Sequence, residues 1–271
     1  MSSPRVAIFD SGIGGLTVAA AIAARMPHAT LRYLGDTARL PYGTKSAGTV
    51  QRYALQAARL LLREPADALV IACNTASAVA VELLQAEFAL PVWGVVEPGA
   101  AAAVARCSSG HIGVIGTERT IATGAYHNAI AHIAPTTQVH GLATPLLVAL
   151  AEEGWFEHPA TDAVIEAYLD SLLASPDAAA LDTLVLGCTH YPVFKVAIGR
   201  LLGERLDQPI ALIDSADAIA SALESHFGPT PPGAADGTPS WMCTDDPERF
   251  VRVGARFFAD LSASTVEVVD L

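Results

Sequence analysis

Short apolar, β-branched runs alternate with longer alanine-rich segments of helical spacing along nearly the whole chain, and this alternation narrows the possible folds more than any other feature. Val6–Phe9, Leu31–Leu34, Ala68–Ala72, Val92–Val95, Ile112–Ile115, Val139–Gly141, Leu184–Gly187 and Ile210–Ile213 are each about one strand long and largely apolar, with Arg32 and His140 the exceptions. Strands read this way when a parallel sheet is covered on both faces. Leu16–Met26, Ala47–Arg63, Ser77–Phe88 and Thr161–Ala174 read as the covering helices. The fold class expected is α/β, with mainly parallel sheets flanked by helices.

The chain also repeats itself. Ala68-Leu-Val-Ile-Ala-Cys73-Asn74-Thr75 and Thr183-Leu-Val-Leu-Gly-Cys188-Thr189-His190 are each an apolar strand ending in cysteine, then two polar residues, then a helix. Val6–Gly12 and Ile112–Thr117 form a second matched pair, strands that open into small polar residues. Two pseudo-symmetric domains with a cleft between them explain both matches. Pro98 and Gly99 mark the first crossover, within Val95–Gly99, and Leu206–Pro209 marks the return. The first domain is therefore expected over 1–96 together with 209–271, and the second over 97–208. A strand at Ser240–Cys243, a helix over Pro247–Leu261 and a strand at Thr265–Val269 would complete the first domain. Pro229–Pro239, rich in Pro and Gly, reads as a surface loop.

With 271 residues, 52% of them hydrophobic, the chain has ample material for such cores. Its formal net charge of −12 argues against nucleic acid or anionic lipid as partners, because binding them needs many Lys and Arg. The longest apolar-leaning stretches, such as Ala66–Ala86 with Asp67, Asn74, Thr75 and Glu82, are interrupted and fall short of the roughly 20 apolar residues of a membrane span. Met1–Pro4 has no basic region and Val6–Phe9 is too short for a secretory signal, so a cytoplasmic protein is expected. Cys73, Cys107, Cys188 and Cys243 are widely spaced and should be free thiols.

In open parallel sheets ligands bind beyond the carboxyl ends of the strands, where Asp10-Ser11, Cys73-Asn74-Thr75, Thr117 and Cys188-Thr189-His190 all fall. A single cysteine there is most often a small buried hydrophobe, and Cys107 and Cys243 are read so. Two cysteines at matched points of a repeat are a candidate pair of acid–base groups. A thiol at a helix N-terminus feels unpaired N–H groups, which can lower its pKa from about 8.5 to below about 7.5. Asp10 and His190 are candidate proton partners, with N-capping and structural hydrogen bonding as their alternative roles. The glycines of Asp10-Ser-Gly-Ile-Gly-Gly15 are not spaced as GxGxxG, so NAD is not indicated, although the loop could cradle a carboxylate. The turn-rich stretch Gly35–Gly43 could cover the cleft.

Taken together, Phe9-Asp-Ser-Gly-Ile-Gly-Gly-Leu16, Gly35-Asp-Thr-Ala-Arg39, Pro41-Tyr-Gly43, Ala72-Cys-Asn-Thr-Ala-Ser77, Val96-Glu-Pro-Gly99 and Leu186-Gly-Cys-Thr-His-Tyr-Pro192 resemble the glutamate racemases of the aspartate/glutamate racemase superfamily. The likeness runs from Val6 to at least Ile219. It implies cofactor-independent interconversion of L- and D-glutamate for peptidoglycan synthesis, in a homodimer. Cys73 and Cys188 match the two catalytic thiols, Asp10 and His190 the residues beside them. Glu152, rather than Glu153, matches a further acid on the Cys188 side. Substrate contacts would come from Asp10, Ser11, Pro41, Tyr42, Gly43, Asn74, Thr75, Thr117, Thr189 and His190.

Removing a Cα hydrogen and returning a proton to the opposite face suits two groups on opposite sides of the carbon. Pyridoxal phosphate would need a Schiff-base lysine, and neither Lys45 nor Lys195, the two lysines present, has a phosphate-binding context. Cys188-x-His190 is at most half a metal site. The alternatives at this point are an aspartate or other small amino-acid racemase of the same superfamily, a cysteine hydrolase with His190 as base, and a non-catalytic amino-acid-binding protein.

Overall fold

The computed structural model describes residues 3–228, 239–263 and 265–271. Every strand pairing in it is parallel. In the first sheet β1 (Arg5–Asp10) lies between β2 (Thr30–Gly35) and β3 (Ala68–Ile71). Beyond β3 comes β4 (Val92–Gly94), and beyond β2 come β9 (Ser240–Cys243) and then β10 (Val266–Val268). In the second sheet β5 (His111–Gly116) lies between β6 (Gln138–Ala143) and β7 (Thr183–Gly187), with β8 (Ala211–Asp214) outermost beside β7. The orders β2-β1-β3-β4 and β6-β5-β7-β8 are the same arrangement used twice, as the sequence repeat implies.

Both β3 and β7 are buried along their entire length, which is why they read as unbroken apolar runs. Helices α1 (Leu16–Arg25), α2 (Ala47–Leu61) and α3 (Asn74–Glu87) connect the first strands, and α4 (Val96–Arg106) carries the chain to the second sheet. There α5 (Glu118–Ala122), α6 (Ala125–Ile133), α7 (Leu146–Glu153), α8 (Pro159–Leu172) and α9 (Lys195–Gly203) follow, then α10 (Ser215–Phe227), and α11 (Pro247–Gly254) after β9. Leu16 and Ile22 of α1, Ile219 and Leu223 of α10, and Leu184 and Leu186 of β7 belong to one continuous core, so α10 packs the two layers together.

Three local expectations change. Pro98 and Gly99 do not break the chain: they lie inside α4, where Pro98 occupies the first turn and its missing N–H would have had no helical partner. The return expected at Leu206–Pro209 falls before β8, whose pairing with β7 carries the second sheet on to Asp214. The helix expected over Pro247–Leu261 ends at Gly254, and a 3-10 turn spans Ala259–Ala263. The loop expected at Pro229–Pro239 falls almost wholly on 229–238, outside the described residues. Among the described residues no helix is long and apolar enough to cross a membrane.

Candidate active site

In each sheet the strand order reverses direction beside the central strand, at β1/β3 and at β5/β7, and such switch points open a crevice at the strand ends. Asp10 ends β1 and Cys73 follows β3, while Thr117 follows β5 and Cys188 follows β7. Both crevices open into one cavity of about 310 Å³, and Cys73 and Cys188 both line it. So do Ser11, Pro41, Tyr42, Gly43, Asn74, Thr75, Thr117, Glu152, Thr189 and His190. Asp10 is not on the wall. It is buried, accepts the Gly12 N–H at Oδ2 (2.9 Å), and leaves Oδ1 without a hydrogen bond among the described residues.

The two cysteines share a position but not an environment. Cys73 caps α3, with Asn74 and Thr75 already in the first helical turn rather than ahead of it. Hydrogen bonds from Ser11 and from the Ala76 N–H favour its thiolate, but burial and the Asp10 carboxylate outweigh them. The thiol is pushed up to about 12, against the lowering expected from its place at a helix N-terminus. The helix dipole favours the thiolate, but desolvation wins. Burial likewise raises Asp10 from its ordinary value, opposed by the charge of His190 and by backbone N–H groups. The Cys73 thiol therefore holds its proton at neutral pH.

On the other side Cys188 Sγ lies 3.8 Å from His190 Nδ1, and His190 Nε2 lies 3.2 Å from Glu152 Oε1. Burial works against a charged imidazole, but hydrogen bonds and charge from Cys188 and Glu152 more than offset it, and His190 is raised to about 10. Glu152 is held below its ordinary value: burial pushes it up, while His190 and then Arg249 pull it down more strongly. Arg249 donates to Glu152 Oε2 at 2.7 Å. Of the two adjacent acids Glu152 is the one turned inward, and Glu153 is exposed.

The remaining candidates form the walls. The hydroxyls of Thr75 and Thr117 are 2.9 Å apart, and Thr117 also caps α5 by accepting the Thr120 N–H. Asn74 is fixed by Tyr126, which donates to Oδ1 at 2.7 Å, and by Ser215 on its amide. Tyr42 lines the cavity with its ring, because its hydroxyl donates to the buried Asp36. Asp36 also accepts from Arg39 (2.7 Å) and Thr244 (3.0 Å), which ties the cis Leu40–Pro41 loop to the end of β9. The glycines of the first loop serve close approach: a Cβ on Gly14 would meet His190 at 2.5 Å, and one on Gly15 would meet Asp10 at 2.4 Å. Thr17 adds a hydrogen bond to the Thr189 carbonyl at 2.9 Å.

The family model described as Asp/Glu/Hydantoin racemase matches residues 16–223, most of the chain and both cysteine motifs. The chain belongs to this racemase family. The glutamate racemase of Koribacter versatilis is 42% identical to it, over 99% of this chain and 98% of that protein. Among solved structures, glutamate racemase isoform RacE1 from Bacillus anthracis superposes with a TM-score of 0.87 at 33% identity, covering 100% of this chain and 99% of its own. The Francisella tularensis glutamate racemase in complex with D-glutamate gives 0.85 at 32% identity, covering 100% and 98%. The fold of the family, two parallel sheets flanked by helices, is thus the fold of this chain.

Several residues of this candidate site lie outside the motifs visible in the sequence. Thr120 sat in plain view within Gly116-Thr-Glu-Arg-Thr-Ile121, three residues after Thr117, a spacing that places both hydroxyls on one face of a helical turn. Arg249, Tyr126 and Ser215 carry no such signal. Each reaches the site from an element far away in the chain.

Proposed function

We propose that this chain racemises glutamate without a cofactor, with Cys73 and Cys188 as the two proton-transfer groups. The observation that carries the reading is the matched pair of strand-end thiols on one cavity, each with its own acidic partner, Asp10 behind Cys73 and His190–Glu152 beside Cys188. Relatives named glutamate racemases over nearly the full length support the choice of substrate, as does the similar Francisella tularensis structure in complex with D-glutamate. The product, D-glutamate, would serve peptidoglycan synthesis.

In the reaction one cysteine, as thiolate, takes the Cα proton, and the electron pair remains on Cα conjugated with the carboxylate. The other cysteine, as thiol, delivers its proton to the opposite face and becomes a thiolate. Cys188 serves L-glutamate and Cys73 D-glutamate. The asymmetry of the cleft suits the first direction, because Cys73 holds a proton to give while a charged His190 stands beside the Cys188 sulfur. Backbone N–H groups at Ser11 and at the first turn of α3 would stabilise the charge that develops on the carboxylate. We read the layers around the two sheets as two lobes enclosing the substrate, and the protein as a cytoplasmic homodimer.

Racemisation of L-glutamate in deuterated water, sampled well before equilibrium, tests the two-base step. Deuterium at Cα should appear in the D-glutamate product while the remaining L-glutamate stays protiated. Early, equal labelling of both enantiomers would point to a single shared base and overturn the mechanism. Aspartate in the same assay distinguishes a racemase of other substrate preference.

A further inference from the structure

Glu152 is held from three directions, and two of them come from the other sheet's layer. It lies at the end of α7, which follows β6 of the second sheet, and its Oε1 faces His190. Its Oε2 receives Arg249 from α11, which follows β9 of the first sheet, and its main-chain carbonyl receives Arg256 just beyond that helix. Phe257 then sets its ring edge against His190 at a centroid distance of 5.6 Å and an angle of 87°. The carboxyl-terminal helix of one layer thus braces the proton-handling chain of the other.

We infer that Arg249 is a positioning residue for the Cys188 half of the reaction, fixing Glu152 on His190 and making that half dependent on contact between the two layers. The inference rests on the racemase reading above. Arg249 does not itself line the cavity, whereas its partner Glu152 does. A side chain that served only to join the layers could use any exposed acid on α7, and Glu153 is next to it and exposed. Arg249 instead takes the oxygen opposite the one used by His190, so both oxygens of one carboxylate are fixed and its plane is set. The charged groups facing Glu152 are His190, from the loop after β7, and Arg249, from α11, with Arg256 on its carbonyl.

The test compares wild type with Arg249→Met and Arg249→Lys, after wild type has been shown to racemise glutamate. Loss of a charge-assisted hydrogen bond to the relay should lower kcat/KM of Arg249→Met by about tenfold to a hundredfold, with partial recovery in Arg249→Lys. Slowing the Cys188 step alone makes the α-deuterium isotope effect rise with one enantiomer and fall with the other. The acid limb of the pH profile should move to higher pH, because Glu152 loses a group that holds it ionised. In an Glu152→Gln background Arg249→Met should cost little more. A rate loss with equal isotope effects for both enantiomers and an unmoved acid limb would reduce Arg249 to a structural role and overturn the inference. Failure of wild type to racemise would instead overturn the functional reading itself.

Discussion

Gly14 shows how closely one half of this molecule approaches the other at a single residue. A methyl group there would press on the His190 ring at 2.5 Å and on the Thr189 hydroxyl at 2.6 Å, two groups of the Cys188 loop. Gly14→Ala should therefore leave the protein folded and lower racemisation by about a hundredfold, the scale set by misplacing a reacting group by about 1 Å. A circular-dichroism assay of glutamate, with a melting curve on the same sample, checks both parts. The cysteines invite a second measurement. Cys73 is pushed up to about 12 by burial, so at neutral pH it should be alkylated by iodoacetamide far more slowly than free cysteine. Mass spectrometry of the Cys73 peptide would reveal this, and rapid alkylation would show that the thiolate is populated without substrate. At this scale most of the candidate residues were legible because they sit in short motifs at strand ends, whereas Glu152, at the end of α7, was reached only through the family resemblance. Their protonation was not, since it depends on how completely each is buried.

Among the elements, the loop after β2 is the one most dependent on distant support. It forms one wall of the cavity through Leu40–Thr44, and it is anchored through Asp36, a buried carboxylate that accepts from Tyr42, Arg39 and Thr244. Removing one donor from a buried carboxylate costs about 1.5–3 kcal/mol. Tyr42→Phe should lower Tm by several degrees and raise KM more than it lowers kcat, because the wall moves while both thiols stay in place. The helix α10 carries the other element-scale prediction. Ile219 is fully buried in the core shared by both layers, and Ile219→Ala should cost about 2–5 kcal/mol in urea unfolding. Most strands, and the helices α1, α2, α3 and α8, could be read from periodicity alone, because a strand such as β3 or β7 that is buried on both faces writes an apolar run. Helix starts and unit boundaries could not. The cap at Cys73 and the pairing of β8 are set by contacts remote in sequence, and Pro98 is tolerated through its place in a first turn.

For the molecule as a whole, the most distinctive charge is the protonated His190. Its value in the folded protein, about 10, lies above the ordinary 6.5, so its interactions add stability that is complete below about pH 6.5. That contribution declines as pH rises and is lost through about pH 10. The stability difference between wild type and His190→Gln, followed by urea unfolding from about pH 6 to about pH 10.5, should therefore shrink steadily; a constant difference would mean that the imidazole is neutral in the folded state.

The shared order of β2-β1-β3-β4 and β6-β5-β7-β8 bears on the proposed reaction in a way that concerns energetics rather than geometry. L- and D-glutamate have equal free energies in an achiral solvent, so no arrangement of side chains can bias the equilibrium toward either antipode. What the protein can set is how strongly each antipode saturates it and how fast each then turns over. Two near-copies of one scaffold give the antipodes comparable seats, while Asp10 on one side and His190–Glu152 on the other make the two half-journeys unlike. The asymmetry built into the repeat therefore governs occupancy, and net flux is left to whatever removes the product.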